Sequence, residues 1–276
     1  MKKNPIKSDL RETTAGKVTF LFLLFLYTGV TLYLFWMECY QVPGFQSDMP
    51  DYVNKVAGIA GNYEFPYPIL FWTARLSAWL IGAKAAMAVT TALFNLAAVI
   101  ITKYYMNREI RKNSHYETLS HKKQVMTDIV VTLLVFALFL LSNLYSPKNT
   151  AFFGFDYAYR CMGIYTPNPF WNATYLATRP FAIICFFETV KVLSEYQRDF
   201  QWKNCTLFAV SLLLTTMTKP SFTMVVVPLI GLILLVQLIV SRGKSFRNTF
   251  RPCVTMIPTG IALLYQFSGI FTGTNA

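Results

Sequence analysis

The sequence predicts an all-α polytopic membrane protein with about seven transmembrane helices and a surface amphipathic helix in the first outer loop. Hydrophobic residues make up 54% of the 276 positions, whereas charged residues make up only 14%. The apolar residues are gathered into repeated runs of about 20, the length that crosses the hydrocarbon core of a bilayer. The basic residues are concentrated in alternate segments between these runs, as in multi-pass membrane proteins.

Seven apolar runs are the predicted spans of one transmembrane domain, residues 1–276. They cover residues 18–37, 84–104, 126–145, 175–193, 205–217, 222–240 and 253–272, and the two long outer loops cover residues 38–82 and 146–178. The fourth run contains Glu188 and Lys191, and the fifth run is short, so six to eight spans fit the pattern. The first run is too long for a signal peptide and lacks the small residues of a cleavage site.

The basic residues predict the orientation of these spans. With a cytoplasmic N-terminus, 18 of the 25 Lys and Arg residues lie on the cytoplasmic side and seven lie outside. This bias follows the positive-inside rule and predicts a multi-pass protein of the cell membrane. The net charge of +12 is therefore explained by the orientation of the spans. The expected partner is the lipid bilayer, and no binding of nucleic acid is expected.

The first outer loop contains a predicted short helix. Ser47 and Asp48 are residues that cap helices, and Pro50 suits a first helical turn. The apolar residues that follow fall on one face, which predicts an amphipathic helix on the outer surface. The apolar stretch at residues 69–81 is either a second surface helix or the start of the second span.

Two acids of this loop are the candidate catalytic residues. An acid at a membrane face can become more basic through desolvation, so Asp48 or Asp51 could take a proton from an acceptor hydroxyl. The structural alternative is that Asp48 caps the helix and that Asp51 pairs with Lys55 one turn later. Glu38 follows the aromatic end of the first span and is expected to be a solvated interfacial charge.

The second outer loop supplies candidate substrate-binding residues. Asn172, Thr174 and Tyr175 offer hydrogen bonds, and Trp171 offers a flat apolar face for a sugar ring or an isoprenoid. Arg179 enters the next span from outside, where a charge needs a partner. That partner is either an acid such as Asp156 or a phosphate, which the planar guanidinium fits well.

Lys219 is the remaining candidate, in the turn between the fifth and sixth spans. It either extends to the head groups as an interfacial charge or holds a lipid-linked phosphate. The acids near cytoplasmic helix ends, Asp128 among them, are expected to serve ion pairs. The cysteines show no metal spacing, both histidines lie in a basic inner loop, and no nucleotide-binding motif is present. No cofactor is therefore expected, and the need for a divalent metal stays open.

Taken together, three segments resemble the GT-C glycosyltransferase superfamily of bacterial, polyprenyl-phosphate-sugar dependent membrane enzymes. They are Ser47-Asp48-Met49-Pro50-Asp51-Tyr52, then Asn168-Pro169-Phe170-Trp171-Asn172-Ala173-Thr174-Tyr175 with Arg179-Pro180, and finally Thr218-Lys219-Pro220-Ser221-Phe222. The resemblance implies transfer of a sugar from a polyprenyl-phosphate donor to an envelope glycan or lipid acceptor, as in polysaccharide biosynthesis. It also implies that Asp48, or else Asp51, is the base, and that Arg179 and Lys219 stabilise the leaving phosphate.

Members of this superfamily usually have more spans, so the resemblance implies a truncated member.

Two other classes of function fit the composition. One is a transporter or flippase for a lipid-linked or amphipathic solute, and the other is a non-catalytic membrane subunit. A transporter is expected to have repeats or broken helices at the bilayer midplane. Here the polar residues gather in the outer loops, which favours the enzyme.

Overall fold

The computed structural model describes residues 12–43, 45, 47–59, 65–113, 115–140, 170, 172–197 and 202–271. These residues form α-helices and one short 3-10 turn at Tyr116–Thr118, and no strand occurs among them. The α-helices are α1 (Thr14–Cys39), α2 (Met49–Ala57), α3 (Ile69–Ile81), α4 (Ala83–Asn113), α5 (His121–Leu140), α6 (Ala173–Glu195), α7 (Trp202–Thr218), α8 (Ser221–Val240), α9 (Phe246–Thr255) and α10 (Ile257–Phe271).

Four of these helices, α1, α4, α5 and α8, are long and apolar enough to cross a membrane. They have at least 20 residues each and a mean hydropathy of 1.9 to 2.7. At 1.5 Å per residue, a helix of 20 residues reaches about 30 Å, the thickness of the hydrocarbon core. Large apolar side chains on them are exposed, for example Phe25 and Val225. The prediction of a helical membrane protein is confirmed to this extent.

The described residues of the seven predicted spans lie on helices, with the exception of Met256. The third span continues beyond α5 into residues 141–145, which lie outside the described residues. The seventh differs from the prediction, because its apolar run is divided at Met256 between α9 and α10. Pro258 stands at the second position of α10, where a proline ring fits the start of a helix better than its interior.

The predicted helix of the first loop is present as α2. Pro50 lies in its first turn, and Gly58 ends it with φ +75°, a left-handed conformation that glycine adopts without strain. Its apolar face is buried by protein, which differs from the expected surface position: the buried residues are Met49, Tyr52, Val53 and Val56. Tyr52 contacts the ring of Phe71 in α3 at 5.9 Å between centroids. The apolar stripe of α2 therefore packs on α3 rather than on lipid.

The stretch at residues 69–81, which the sequence left open, is the separate helix α3. Gly82 ends it with φ +79°, and α4 begins at the next residue. The guanidinium of Arg75 donates a hydrogen bond of 2.8 Å to the carbonyl oxygen of Lys55. This bond joins α3 to the last turn of α2.

The chain divides into two compact units. The first comprises Met1–Tyr33 with Val99–Pro169, and the second comprises Leu34–Ala98 with Phe170–Ala276. In the second unit, α6, α7 and α8 form a core whose buried residues are Cys185, Val192, Tyr196, Cys205, Phe208, Leu212, Ile230 and Leu234. In α7 this core takes in Cys205, Phe208 and Leu212, and Lys219 follows the last residue of the helix.

The first unit is held by a buried polar cluster centred on Asp128 of α5, which is 2% exposed. Its Oδ2 accepts hydrogen bonds from the backbone nitrogen of Thr13 at 2.8 Å, the Thr13 hydroxyl at 2.7 Å and the Tyr116 hydroxyl at 2.9 Å. Its Oδ1 lies 3.4 Å from the guanidinium of Arg111. The prediction that Asp128 serves an ion pair is confirmed.

Lys103 extends the same cluster. Its ammonium lies 2.7 Å from the Glu12 carboxylate and donates to the Thr132 hydroxyl at 2.7 Å and to the Asp128 carbonyl at 3.3 Å. Both charged side chains of this pair are less than a tenth exposed. Buried charges are tolerated only when they are paired and hydrogen-bonded, so this cluster fixes the start of α1 to α4 and α5.

Candidate functional site

Three of the predicted site residues, Asp48, Asn172 and Lys219, form one hydrogen-bonded chain in the second unit. The side-chain amide nitrogen of Asn172 donates to Oδ2 of Asp48 at 3.1 Å. The amide oxygen of Asn172 accepts from the ammonium of Lys219 at 3.1 Å. A carboxylate and an ammonium from segments far apart in the sequence therefore meet on opposite ends of one amide.

The start of α6 determines the position of Asn172. Asn172 is the N-cap residue, with extended backbone angles, and its amide oxygen accepts from the backbone nitrogen of Tyr175 at 3.0 Å. The same oxygen accepts from the hydroxyl of Thr174 at 2.6 Å. Asparagine is among the best N-cap residues because its oxygen satisfies an unpaired helical N–H. The cap orients the amide, so its nitrogen is the atom that faces Asp48.

Asp48 lies at the N-cap position of α2 but makes no capping hydrogen bond through its side chain. Instead, the hydroxyl of Ser47 accepts from the backbone nitrogen of Met49 at 3.2 Å. The structural alternative for Asp48, a helix cap, is therefore wrong. The carboxylate of Asp48 instead accepts the hydrogen bond from Asn172 and so belongs to the candidate site.

Lys219 lies in the two-residue turn between α7 and α8 and is half-buried. Burial lowers the pKa of its ammonium, and the negative charge of Asp48 acts in the opposite direction. Asn172 separates the two groups. The negative charge of Asp48 therefore stabilises the charged form of Lys219, although the two side chains are not bonded to each other. This environment provides a positive charge beside a proton acceptor.

Tyr52 of α2 belongs to the same group of side chains and is 3% exposed. Its hydroxyl is hydrogen-bonded to Thr174 and Asn172. Burial, followed by the charge of Asp48, raises the pKa of Tyr52 well above its ordinary value. The same two causes raise the pKa of Tyr67. Both phenols therefore favour the protonated form beside Asp48.

Glu38, at the end of α1, is 1% exposed. The expectation of a solvated interfacial charge is wrong, because this carboxyl is buried and Ser47 of the following loop contacts it. Glu38 is hydrogen-bonded to Ser47 and is electrostatically coupled to Asp48. The site therefore contains two neighbouring carboxyl groups, of which Asp48 is the more accessible.

Thr174 and Tyr175 bond to Asn172 at the start of α6, and the remaining predicted site residues are not part of this chain or lie outside the described residues. Asp51 is exposed on α2. The guanidinium of Arg179 lies 5.1 Å from the ring centroid of Tyr175 and 3.5 Å from the side-chain oxygen of Asn95. Asn172 is seven residues from Arg179, which is about 10 Å along the axis of α6. Trp171 and Asp156 lie outside the described residues.

Sequence reasoning missed Tyr52, Glu38 and Asn95 as members or neighbours of the site. Asn95 is completely buried in α4, and an asparagine in the apolar run of a membrane helix is a signal that could have identified it. Glu38 carried a weaker signal, an acid at the very end of an apolar run. Tyr52 carried none, because aromatic residues on an apolar face are ordinarily core.

The arrangement combines a carboxylate, an ammonium and the amide that joins them. Asp48 can accept a proton, and Lys219 can attract a negative oxygen. Among the described residues, no group of three or more His, Cys, Asp or Glu side chains is placed to hold a metal ion.

Replacing Asn172 with alanine is expected to lower the free energy of unfolding by about 1 to 2 kcal/mol, because the N-cap of α6 is lost. Asn172→Ser is expected to recover most of this stability, since a serine hydroxyl also caps a helix. Serine is too short to join Asp48 to Lys219, so it separates the capping role from the linking role. Denaturant unfolding of the purified protein measures the difference; equal losses in the two variants would contradict the assignment of Asn172 as the cap.

Comparison of the chain with protein-family models, with curated proteins and with solved structures gave no match.

Proposed function

We propose that this protein is an inverting glycosyltransferase of the GT-C type. It transfers a sugar from a polyprenyl-phosphate donor to an envelope glycan or lipid acceptor at the outer face of the cell membrane. One observation carries the proposal: each of the three segments that resemble the superfamily supplies one member of the chain Asp48–Asn172–Lys219. Residues that share a reaction must meet in space. Asp48 and Asn172 meet across 124 positions of sequence, and Asn172 and Lys219 meet across 47.

The proposed reaction begins at the carboxylate of Asp48. This group takes the proton of an acceptor hydroxyl while that oxygen attacks the anomeric carbon of the donor sugar. The bond between this carbon and the phosphate oxygen breaks, and the polyprenyl phosphate leaves with the electron pair. The attack comes from the face opposite the leaving group, so the anomeric configuration is inverted. Asp48 ends protonated and returns its proton to water.

Positive charge supports the departure of the phosphate. Lys219, whose ammonium shares the amide of Asn172 with Asp48, would stabilise the negative charge that develops on the leaving oxygen. Asn172 holds the two groups at a fixed separation, so neither neutralises the other directly. Arg179, about two helical turns along α6 from Asn172, would bind the anionic part of the donor farther from the reacting carbon. Thr174, Tyr175 and Trp171 would contact the sugar or the isoprenoid.

The proposal requires that the site face away from the cytoplasm. It therefore includes seven spans with a cytoplasmic N-terminus, with α6, α7 and the apolar run at residues 253–272, mostly α10, crossing in addition to the four long apolar helices. In this topology the loop before α2, the start of α6 and the turn before α8 all lie at the outer membrane face. Polyprenyl-linked sugars displayed at that face would reach Asp48.

Reconstituted protein tests the proposal directly. Proteoliposomes would be incubated with a panel of polyprenyl-phosphate sugars and candidate acceptors, and release of polyprenyl phosphate would be measured by mass spectrometry. Acceptor-dependent release is expected for one donor. Movement of an intact lipid-linked sugar between leaflets without release would support the flippase instead.

The alkaline limb of the transfer rate is expected to report the charge of Lys219. Because burial lowers the pKa of Lys219, its positive charge is lost as the pH rises through a value below the ordinary lysine pKa. Arginine keeps its charge over this whole range, so Lys219→Arg is expected to move the alkaline limb to higher pH. The measurement is kcat/KM against pH. Lys84→Arg, at an exposed lysine, is the matched control, and an equal movement in both variants would contradict this role.

A further inference from the structure

The helix α9 has an exposed aromatic edge. Phe246 and Phe250 are 62% and 58% exposed, and their rings stack with 6.2 Å between centroids. Two phenylalanines one turn apart on an open surface are costly in water, because they leave a large apolar area hydrated. An apolar medium beside this edge would remove that penalty.

A strip of basic residues runs beside the aromatic edge. At 100° per residue, Arg247 and Arg251 lie about 100° and 140° around the helix from Phe246. Arg242 and Lys244 are exposed in the turn that precedes the helix. Residues 241–276 contain no acid, so these four basic residues make the segment uniformly positive. The exposed surface of α9 therefore presents apolar and positive strips side by side.

The opposite face of α9 packs against the protein. Thr249 and Pro252 are buried, and Met256, which follows the helix, contacts the core formed by α6, α7 and α8. The side chain of Asn248 donates to the carbonyl of Gln197, just after α6, at 3.4 Å. The orientation of α9 is thus set by packing within its unit, which directs the aromatic and basic strips outward.

The helix α9 closely follows the end of α8, one of the helices that are long and apolar enough to cross a membrane. It begins six residues after Val240, the last residue of α8. Ile239 and Val240 are 66% and 77% exposed, as expected for side chains that face lipid. The chain therefore passes from the hydrocarbon layer to α9 within one short turn, at the depth where phospholipid head groups lie.

We propose that the exposed face of α9, with Phe246, Phe250, Arg247 and the preceding Lys244, binds anionic phospholipids of the adjoining leaflet. The aromatic edge enters the boundary between head groups and acyl chains, and the basic strip contacts the phosphates. A basic helix with aromatic residues on its other exposed edge is the pattern of helices that lie in a membrane interface. This binding is independent of the glycosyltransferase activity, because α9 contributes nothing to the chain Asp48–Asn172–Lys219.

Native mass spectrometry of the purified full chain tests the proposal. Phosphatidylglycerol and phosphatidylcholine with identical acyl chains would be titrated separately, and the dissociation constant of each bound lipid would be measured. The wild-type protein is expected to prefer phosphatidylglycerol. In Lys244→Gln/Arg247→Gln, affinity for phosphatidylglycerol is expected to fall about 5-fold for each basic residue removed, with phosphatidylcholine little affected.

Two further variants make the result specific. Lys122→Gln/Lys123→Gln removes two exposed charges at the start of α5, and it is expected to keep the preference for phosphatidylglycerol. The charge-preserving swap Lys244→Arg/Arg247→Lys is also expected to keep it, which excludes loss of folding as the cause. Equal losses in the α9 and α5 variants, or no preference in the wild-type protein, would overturn the proposal.

Discussion

Asp48→Asn is expected to lower the rate of sugar transfer about 10²- to 10⁴-fold, the usual contribution of a general base. Asparagine has nearly the same shape and can still hydrogen-bond to Asn172, so the helices around the site should keep their positions. It cannot accept the proton of the acceptor hydroxyl. Single-turnover measurement of polyprenyl phosphate release isolates this chemical step from substrate binding and product release.

Asp51→Asn is the matched control for this variant. It makes the same chemical change three residues away, on the same helix, at an exposed position. Its transfer rate is expected to stay close to that of the wild-type protein. A large loss in Asp51→Asn with little loss in Asp48→Asn would reassign the base to Asp51, and full activity in both variants would exclude this mechanism.

Asp128→Ala is expected to lower the free energy of unfolding by about 3 to 5 kcal/mol, because it leaves buried charge and hydrogen-bond donors without their partner. The Arg111 side chain is only 10% exposed, so water cannot replace the lost carboxylate. The hydroxyl of Tyr116 and both donors of Thr13 lose their acceptor in the same variant. Denaturant unfolding in a fixed detergent, followed by circular dichroism, measures the change.

Asp51→Ala provides the comparison for stability. Its side chain is exposed, and surface substitutions usually change stability by less than about 0.5 kcal/mol. Thr13→Val should fall between the two, since it removes one hydroxyl from the cluster and keeps the Asp128–Arg111 pair. If Asp128→Ala unfolded like Asp51→Ala, the polar cluster would not be what holds the start of α1.

The helices were predictable because their signal is local. A run of apolar residues about 20 long requires internally satisfied backbone hydrogen bonds in a membrane, and a helix provides them. The same rule could not locate the break at Met256, since the apolar run continues through it and only Pro258 marks the change. It also could not show which surface covers the apolar face of α2, because lipid and protein neighbours select the same residue types.

Three residues of the candidate site could be selected from the sequence, but their connections and their buried neighbours could not. Asp48, Asn172 and Lys219 stood out as polar residues at the ends of apolar runs. Whether Asp48 caps α2 or reaches Asn172 depends on Ser47, whose hydroxyl takes the capping role; either serine or aspartate can cap a helix, so the sequence alone leaves the choice open. The burial of Glu38 depends on how the following loop folds, which is a tertiary property.

The amide of Asn172 keeps an acid and a base from neutralising each other. In a direct salt bridge, the carboxylate of Asp48 and the ammonium of Lys219 would neutralise each other. Neither charge would then be available to a bound molecule. With a neutral spacer between them they form an open dipole instead, with a negative pole and a positive pole on either side of one amide group. A molecule that gives up a proton at one end and gains negative charge at the other would find both poles already in place.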